Sequence, residues 1–416
     1  MFPPEAWMIS FEPTEDQKMV RDSVTQFAAR TLRPRVREFE RARSLPDDVQ
    51  EAAHAMGLPL AAFPEAVGGA GLGVVTQVLI EEELAHGDPA AAFALSGPGA
   101  YGWAALLFGG GEMGKQLLAP FVGDAAHTRF GAVAWGERKA APDRPGFVTT
   151  AERTGGGWTL RGEKSYVLHA DRAQSFIVFA QAEASKGWEG IAAFVVPRDA
   201  RGLRVLPRYD TLGLDAASFG GVALDGVEVP DAARLPHAAE PQRLASFFAT
   251  QGLLVAARAV GLARAAFEVT RDYCEQRKAF GKPIGHFQAV AFTLADRAMD
   301  LEAARAMVWR AAWLWDAVAR GGAQADERAA LLHTAWAVSF AQEAAMRAGD
   351  DAVQLHGGSG FMRDYPVEKW MRDAKQMQLC GMTAEHADQL AALLALGRPV
   401  DPGLVLPGAD SQNVFV

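Results

Sequence analysis

Two stretches of this chain set cations beside glycines. In "EQRKAFGKPIGHFQ", Arg277 and Lys278 precede a turn containing Gly281, Pro283 and Gly285. In "QLHGGSGFMRDYPVEKWMRDAK", Gly357 and Gly358 form a glycine knot ahead of a charged, helix-like run. A residue without Cβ lets backbone N–H groups come close to an anionic phosphate. A helix N-terminus near fixed positive charge favours the same ligand. Phosphate or pyrophosphate binding is therefore the chemistry these residue types allow; either stretch alone also fits a solvated turn. The run ends at a further small residue, Gly381 in "CGMT", where no side chain can act. A third glycine cluster, Gly68–Gly73, lacks a following Lys-Ser/Thr and reads as a tight turn between helices.

The elements that must position these residues follow from patterning. A chain of 416 residues, half of them hydrophobic, has material for two or three domains and a large core. "TEDQKMVRDSVTQFAAR" opens a helical region with Thr14 as N-cap. From about Arg129 the pattern alternates, with "SFIVFAQ", "IAAFVVP" and "GVALDGVEVP" as short strands. Beyond Pro241 it returns to helix, and apolar residues from Phe287 to Trp315 keep helical spacing over many turns. The expected fold is α+β: an N-terminal helical domain at 1–128, a middle antiparallel β domain at 129–240, and a C-terminal helical bundle at 241–416. The Trp and Met residues of the long helix are expected in core or interface.

Bulk properties narrow the function classes. A formal net charge of −9 argues against a nucleic-acid binder. The cysteines, Cys274 and Cys380, have no metal-ligand spacing, so no metal site is expected and a reducing compartment suits them. The N-terminus does not read as a signal peptide, and no apolar run is long enough to span a bilayer. A cytoplasmic protein without membrane association is the expectation.

Taken together, "RKAFGKPIGHFQ", "QLHGGSGF", "DYPVEKWMRDAK", Thr383, "PEAVGGAGL", "EEELAHGDPAA" and "LRGEKSYV" resemble the acyl-CoA dehydrogenase family of flavoproteins, in the family's order and over essentially the whole chain. The resemblance implies a four-helix bundle in the C-terminal domain, FAD as cofactor and an acyl thioester of CoA or an acyl carrier protein as substrate. It implies a homodimer or homotetramer, and electron-transferring flavoprotein as a candidate electron acceptor. Carried over by position, Arg277, Phe280 and Gln288 would serve the FAD pyrophosphate and adenine from one subunit. Gln354, Gly357 and Gly358 would contribute from a neighbour. Thr383 and Glu385 would contact the adenosine end, with Trp135 and Tyr166 beside the flavin ring. Arg372 and Asp373 would fix their helix by ion pairing.

The reactive half departs from the family. Its members remove an α-proton with a glutamate while a β-hydride passes to the flavin; the usual address of that base is here Gly381, and the alternative address is Gln251. Glutamine keeps the shape of glutamate but takes no proton at neutral pH. The arginine that normally follows the second address is Gly252. Gly136 stands where a hydroxyl is expected, and "YVL" ends in Leu168, which offers flavin N5 no hydrogen bond. Glu385, about one helical turn beyond Gly381, and Glu137 are the remaining candidate carboxylates. Three readings stay open: a flavoenzyme with altered chemistry, a base-less subunit that completes a paralogue's FAD site, and an ordinary dehydrogenase with its base elsewhere.

Overall fold

A computed structural model describes residues 12–123, 125–139, 145–321 and 326–398. The first helices are α1 (Glu15–Phe27), α2 (Val36–Ala42), α3 (Asp47–Ala55), α4 (Val74–Gly87), α5 (Pro89–Ala94), α6 (Gly99–Gly109) and α7 (Gly111–Leu118). Thr14 caps α1 reciprocally: its hydroxyl accepts from the Gln17 N–H, and the Gln17 side chain accepts from the Thr14 N–H. The helical run continues past α1 only in distorted form. A π-turn at Ala28–Leu32 and a 3₁₀ turn at Arg33–Arg35 carry the chain past Pro34, which has no N–H to give a regular helix.

Strands β1 (Gly131–Ala134), β2 (Thr150–Thr154), β3 (Gly157–Leu168), β4 (Ser175–Gln181), β5 (Ile191–Pro197), β6 (Leu203–Val205), β7 (Phe219–Pro230) and β8 (Arg234–Leu235) form one sheet. Its path runs β6-β7-β3-β2-β4-β5-β8, with β1 alongside β4. Most pairs are antiparallel, as the alternation predicts, but β1 and β2 both pair with β4 in parallel. The long β3–β7 ladder shifts register between Lys164 and Val167. Tyr166 sits in that irregularity at φ +54° and is 54 % exposed, the way a bulge re-aims a side chain out of a sheet.

The C-terminal helices are α8 (Pro241–Gln276), α9 (Gln288–Arg320), α10 (Glu327–Leu355), α11 (Val367–Met377) and α12 (Ala384–Ala395), with a small hairpin of β9 (Lys278–Ala279) and β10 (Lys282–Pro283) between α8 and α9. Helix α10 packs against α8, α9, α11 and α12. The fourth position of the bundle is thus shared by α11 and α12, and the chain breaks between them at 378–383. One apolar core runs continuously from α1, α4 and α5 into α8, α9 and α10.

Charged groups fix these parts to one another. Gly73 cannot cap α4 with a side chain, and Asp316 of α9 does so, accepting from the Val74 N–H at 2.6 Å and the Val75 N–H at 3.2 Å. The glycine cluster before α4 is therefore a turn whose helix end already holds an anion. The Lys369 ammonium is fully buried between Asp88 and Asp373, 2.6 Å from each. Burial opposes that charge, yet the two carboxylates outweigh it and hold the lysine above its usual pKa. Asp373 also accepts the Leu214 N–H at 2.6 Å, so one cluster joins α5, α11 and the loop before β7. Arg372 and Asp373 do not pair with each other; Arg372 reaches Glu40, Glu368 and Asp215.

Candidate functional site

Two separate cavities collect most of the residues singled out from the sequence. The smaller, about 460 Å³, lies where α8 ends and α10 ends, lined by Tyr273, Arg277, Gln354, His356, Gly357 and Gly358 among others. Arg277 follows the last residue of α8, is exposed, and makes no ion pair among the described residues. Gly357 takes φ +56°, a conformation that disfavours any side chain, and a Cβ at Gly357 or Gly358 would meet open space. His356 is buried against Tyr273, ring centroids 4.2 Å apart. Burial lowers its pKa, and its Nδ1 sits 2.7 Å from the Ala352 carbonyl. Nδ1 therefore carries the proton, leaving Nε2 a buried acceptor with no partner. A cation, two open glycines and an orphaned acceptor fit a phosphate-bearing ligand with hydroxyl groups.

The set expected to be split between two subunits lies together in a single copy. Arg277, Gln354, Gly357 and Gly358 converge within one chain, because α10 runs antiparallel beside α8 and delivers its C-terminal knot to the end of that helix. Phe280 and Gln288 stand apart from this cavity. Phe280 is 97 % exposed at the tip of the β9–β10 turn, at φ +51°, and Gln288 is exposed at the start of α9.

The larger cavity, about 690 Å³, lies between the helical domains and the sheet. Trp135, Gly136, Glu137, Tyr166, Leu168, Gln251, Gly381 and Thr383 all line it. Thr383 is the N-cap of α12, accepting from the His386 N–H, and it lines this cavity with Tyr166 and Trp135 while Arg277 lines the smaller one. Glu385, in the first turn of α12, is exposed and lies outside the lining. Trp135 is buried in an aromatic cluster with Phe147, Phe179 and Phe248, at centroid distances of 4.8, 4.9 and 4.4 Å. At Gly136 a Cβ would come within 2.9 Å of the Ser165 carbonyl oxygen, so the hydroxyl-bearing residue expected there does not fit without movement of β3.

Glu137 is a candidate carboxylate with its oxygens already engaged. It accepts from the Val148 N–H at 2.7 Å, the Thr149 N–H at 3.0 Å and the Lys164 ammonium at 2.8 Å. Lys164 is fully buried, also donates to the Trp135 carbonyl, and lies over the Phe147 ring. Burial pulls its pKa down to about 8 against the opposing pull of Glu137. This pair braces the loop at 135–137 against β3, which is a positioning role.

Sequence reasoning missed the second carboxylate of the cavity. Glu81 on α4 pairs with Arg258 on α8, Oε2 to Nε 2.7 Å, and both line the cavity. Arg258 also lies 4.2 Å from the Phe93 ring centroid. His169 lines the same region at φ +62°, its Nδ1 buried without a partner and its pKa pushed down to about 3, chiefly by burial. The only sequence signal was a charged residue on an otherwise apolar face of α8. Glu81 and Glu137 are the only carboxylates lining the cavity among the described residues.

Comparison with known proteins places three family models on the chain: acyl-CoA dehydrogenase N-terminal domain over residues 14–124, middle domain over 132–227 and C-terminal domain over 243–392. A protein named as a probable acyl-CoA dehydrogenase of Bacillus subtilis (strain 168) is 34% identical over 380 residues, 91% of this chain and 97% of that protein. Benzylmalonyl-CoA dehydrogenase of Aromatoleum aromaticum is 32% identical over 381 residues, again 91% and 97%. The structure of butyryl-CoA dehydrogenase from Megasphaera elsdenii superposes with a TM-score of 0.83 at 29% identity, covering 93% of this chain and 100% of that one.

Proposed function

The chain belongs to the acyl-CoA dehydrogenase family of oxidoreductases, and from that premise we propose that it binds FAD and receives an acyl thioester without a free carboxylate at either place where the family keeps its proton-abstracting base. One observation carries this reading. Gln251 and Gly381 open onto the same cavity, whose two lining carboxylates are engaged elsewhere, Glu137 by Lys164 and two backbone N–H groups and Glu81 by Arg258.

In this reading Arg277, Gln354, Gly357 and Gly358 hold the pyrophosphate, and His356 Nε2 accepts from a hydroxyl of the same ligand. Tyr166 would offer its ring, and Thr383 its hydroxyl, to the flavin from the wall of the larger cavity. Bound FAD supplies a two-electron acceptor. Leu168 leaves the ring without a side-chain donor on its side. Gln251 offers an amide donor and acceptor that orient a thioester but take no proton. Proton abstraction, which needs a positioned and desolvated base, therefore has no standard provider. The protein is a dimer or tetramer in which the two cavities of different copies share one cofactor, and electron-transferring flavoprotein is the candidate electron acceptor.

A second reading is favoured by the contrast between the cavities. An intact phosphate pocket beside an altered reactive cavity is what a base-less subunit needs to complete the site of a paralogue. The visible spectrum of the purified protein separates the readings. The expected result is a yellow protein whose flavin stays oxidised when saturated acyl-CoAs are added anaerobically. Brisk bleaching would overturn the missing base. A colourless protein that acquires flavin only when co-expressed with a paralogue would establish the second reading.

A further inference from the structure

The larger cavity is apolar over most of its wall; besides Glu137 and the exposed Lys139, its charged groups are Glu81 and Arg258, paired in one nook. Gln251, Leu254 and Arg258 lie at i, i+3 and i+7 on α8 and all line it. Arg258 is therefore two turns, roughly 10 Å, along the helix from the position that faces the reacting carbons. Glu81 and the Phe93 ring contact it, and Leu84 and His169 also line the cavity. The side chains of Arg258 and Glu81 are only 15% and 18% exposed. The pair uses one N–H and one oxygen on each other. Among the described residues, Arg258 Nη1 and Nη2 and the second Glu81 oxygen make no hydrogen bond and are left to whatever fills the cavity, whereas His169 Nδ1, also without a partner, is buried out of a ligand's reach.

We propose that this nook is a specificity site for an acyl group that carries an uncharged hydrogen-bonding substituent (a hydroxyl, oxo or carboxamide group) remote from its thioester. The inference rests on the thioester reading above and names the substrate class of that same cavity. Unsatisfied donors and acceptors inside an apolar cavity are costly, so a ligand that satisfies them gains what a plain alkyl chain forfeits. The sign of the charge decides between polar ligands. Glu81 and Arg258 sum to zero, and His169 is held neutral by burial. A second carboxylate would bring an uncompensated charge into this interior, whereas a hydroxyl or carboxamide can give to Glu81 and accept from Arg258 at once. A site that rejects the analogue lacking the polar group is also more selective than one that merely measures chain length.

The test titrates the FAD-loaded protein with three CoA thioesters of matched length, ending in methyl, hydroxymethyl or carboxylate, and follows the flavin absorption band. The expected result is that the hydroxyl-bearing thioester binds at least tenfold more tightly than the other two. The double variant E81L/R258L, which removes both charges together, is expected to reverse the order in favour of the methyl-ended chain. Equal or tighter binding of the methyl-ended or carboxylate-ended thioester by the unaltered protein overturns the proposal, and that comparison needs no variant to fold. Binding of none of the three overturns the thioester reading itself and this inference with it.

Discussion

A β-carbon placed on Gly381 would lie 3.7 Å from the Cα of Gly252. A side chain at 381 would thus touch the middle of α8 beside the cavity. The two places where the family keeps its catalytic carboxylate are two approaches to one point in space. In the reading proposed above, Gln251 and Gly381 stand at these two places and neither is an acid.

The contact makes the missing base restorable in one way and not the other. Gln251→Glu changes one atom on a regular helix and is expected to create flavin bleaching by an accepted acyl-CoA where none occurred. Gly381→Glu has room, since its nearest neighbours are at 3.7 and 3.9 Å, but must hold φ +76°. That strain is expected to cost about 1 kcal/mol or more. Anaerobic stopped-flow absorption checks the first outcome and denaturant melts the second.

Arg277→Ala should weaken FAD retention by roughly 10- to 100-fold, the worth of a charge-assisted hydrogen bond. The flavin-to-protein absorbance ratio after dialysis measures it. Arg271→Ala, on the same helix and paired only with the adjacent Asp272, should leave that ratio unchanged.

His169 gives a pH dependence whose sign is fixed. Its folded pKa, about 3, lies below the ordinary histidine value near 6.5. Between those two values the unfolded chain binds a proton that the folded chain refuses. Stability from this group is therefore full above about pH 6.5 and falls as the pH drops toward 3. His169→Asn, which tolerates φ +62°, should flatten the stability profile over that window, read from urea midpoints at successive pH values.

Lys369→Met leaves Asp88 and Asp373 facing each other in the interior. The expected loss is about 3–5 kcal/mol. Replacing all three by apolar residues of similar volume should recover most of it, and thermal melts of the two variants check the pair of outcomes.

Much of this molecule can be read from its residues one after another. Alternation in β3, the short apolar runs of β4 and β5, the rhythm of α9 and the Thr14–Gln17 cap are local, and they set the element order. That Arg277 and the Gly357 knot form one cation-and-glycine pocket was not legible residue by residue, because α8 and α10 bring them together across some eighty residues. Other features depended on distance in sequence. Glu81 and Arg258 are far apart in the chain, and only the packing of α4 on α8 turns two surface-like charges into a cavity wall. Thr383, expected at the adenosine end, lines the same cavity as Tyr166 because the chain turns between α11 and α12. Glu137 looked like a spare acid until Lys164 was found buried behind it. Parallel pairing of β1 with β4 leaves no mark in a period-two pattern.

The hairpin between α8 and α9 carries a further implication. Phe280 sits in a left-handed backbone conformation with nearly its whole ring in water, so a solitary copy gains little from holding it there. Within one copy the tip is held by the β9–β10 pairing and an edge contact of Phe280 with Phe287, centroids 6.2 Å apart, and a surface that received the ring would add to that order. Amide hydrogens around 278–283 should accordingly exchange quickly in dilute solution and slow as the protein is concentrated, while those in the middle of α8 do not change.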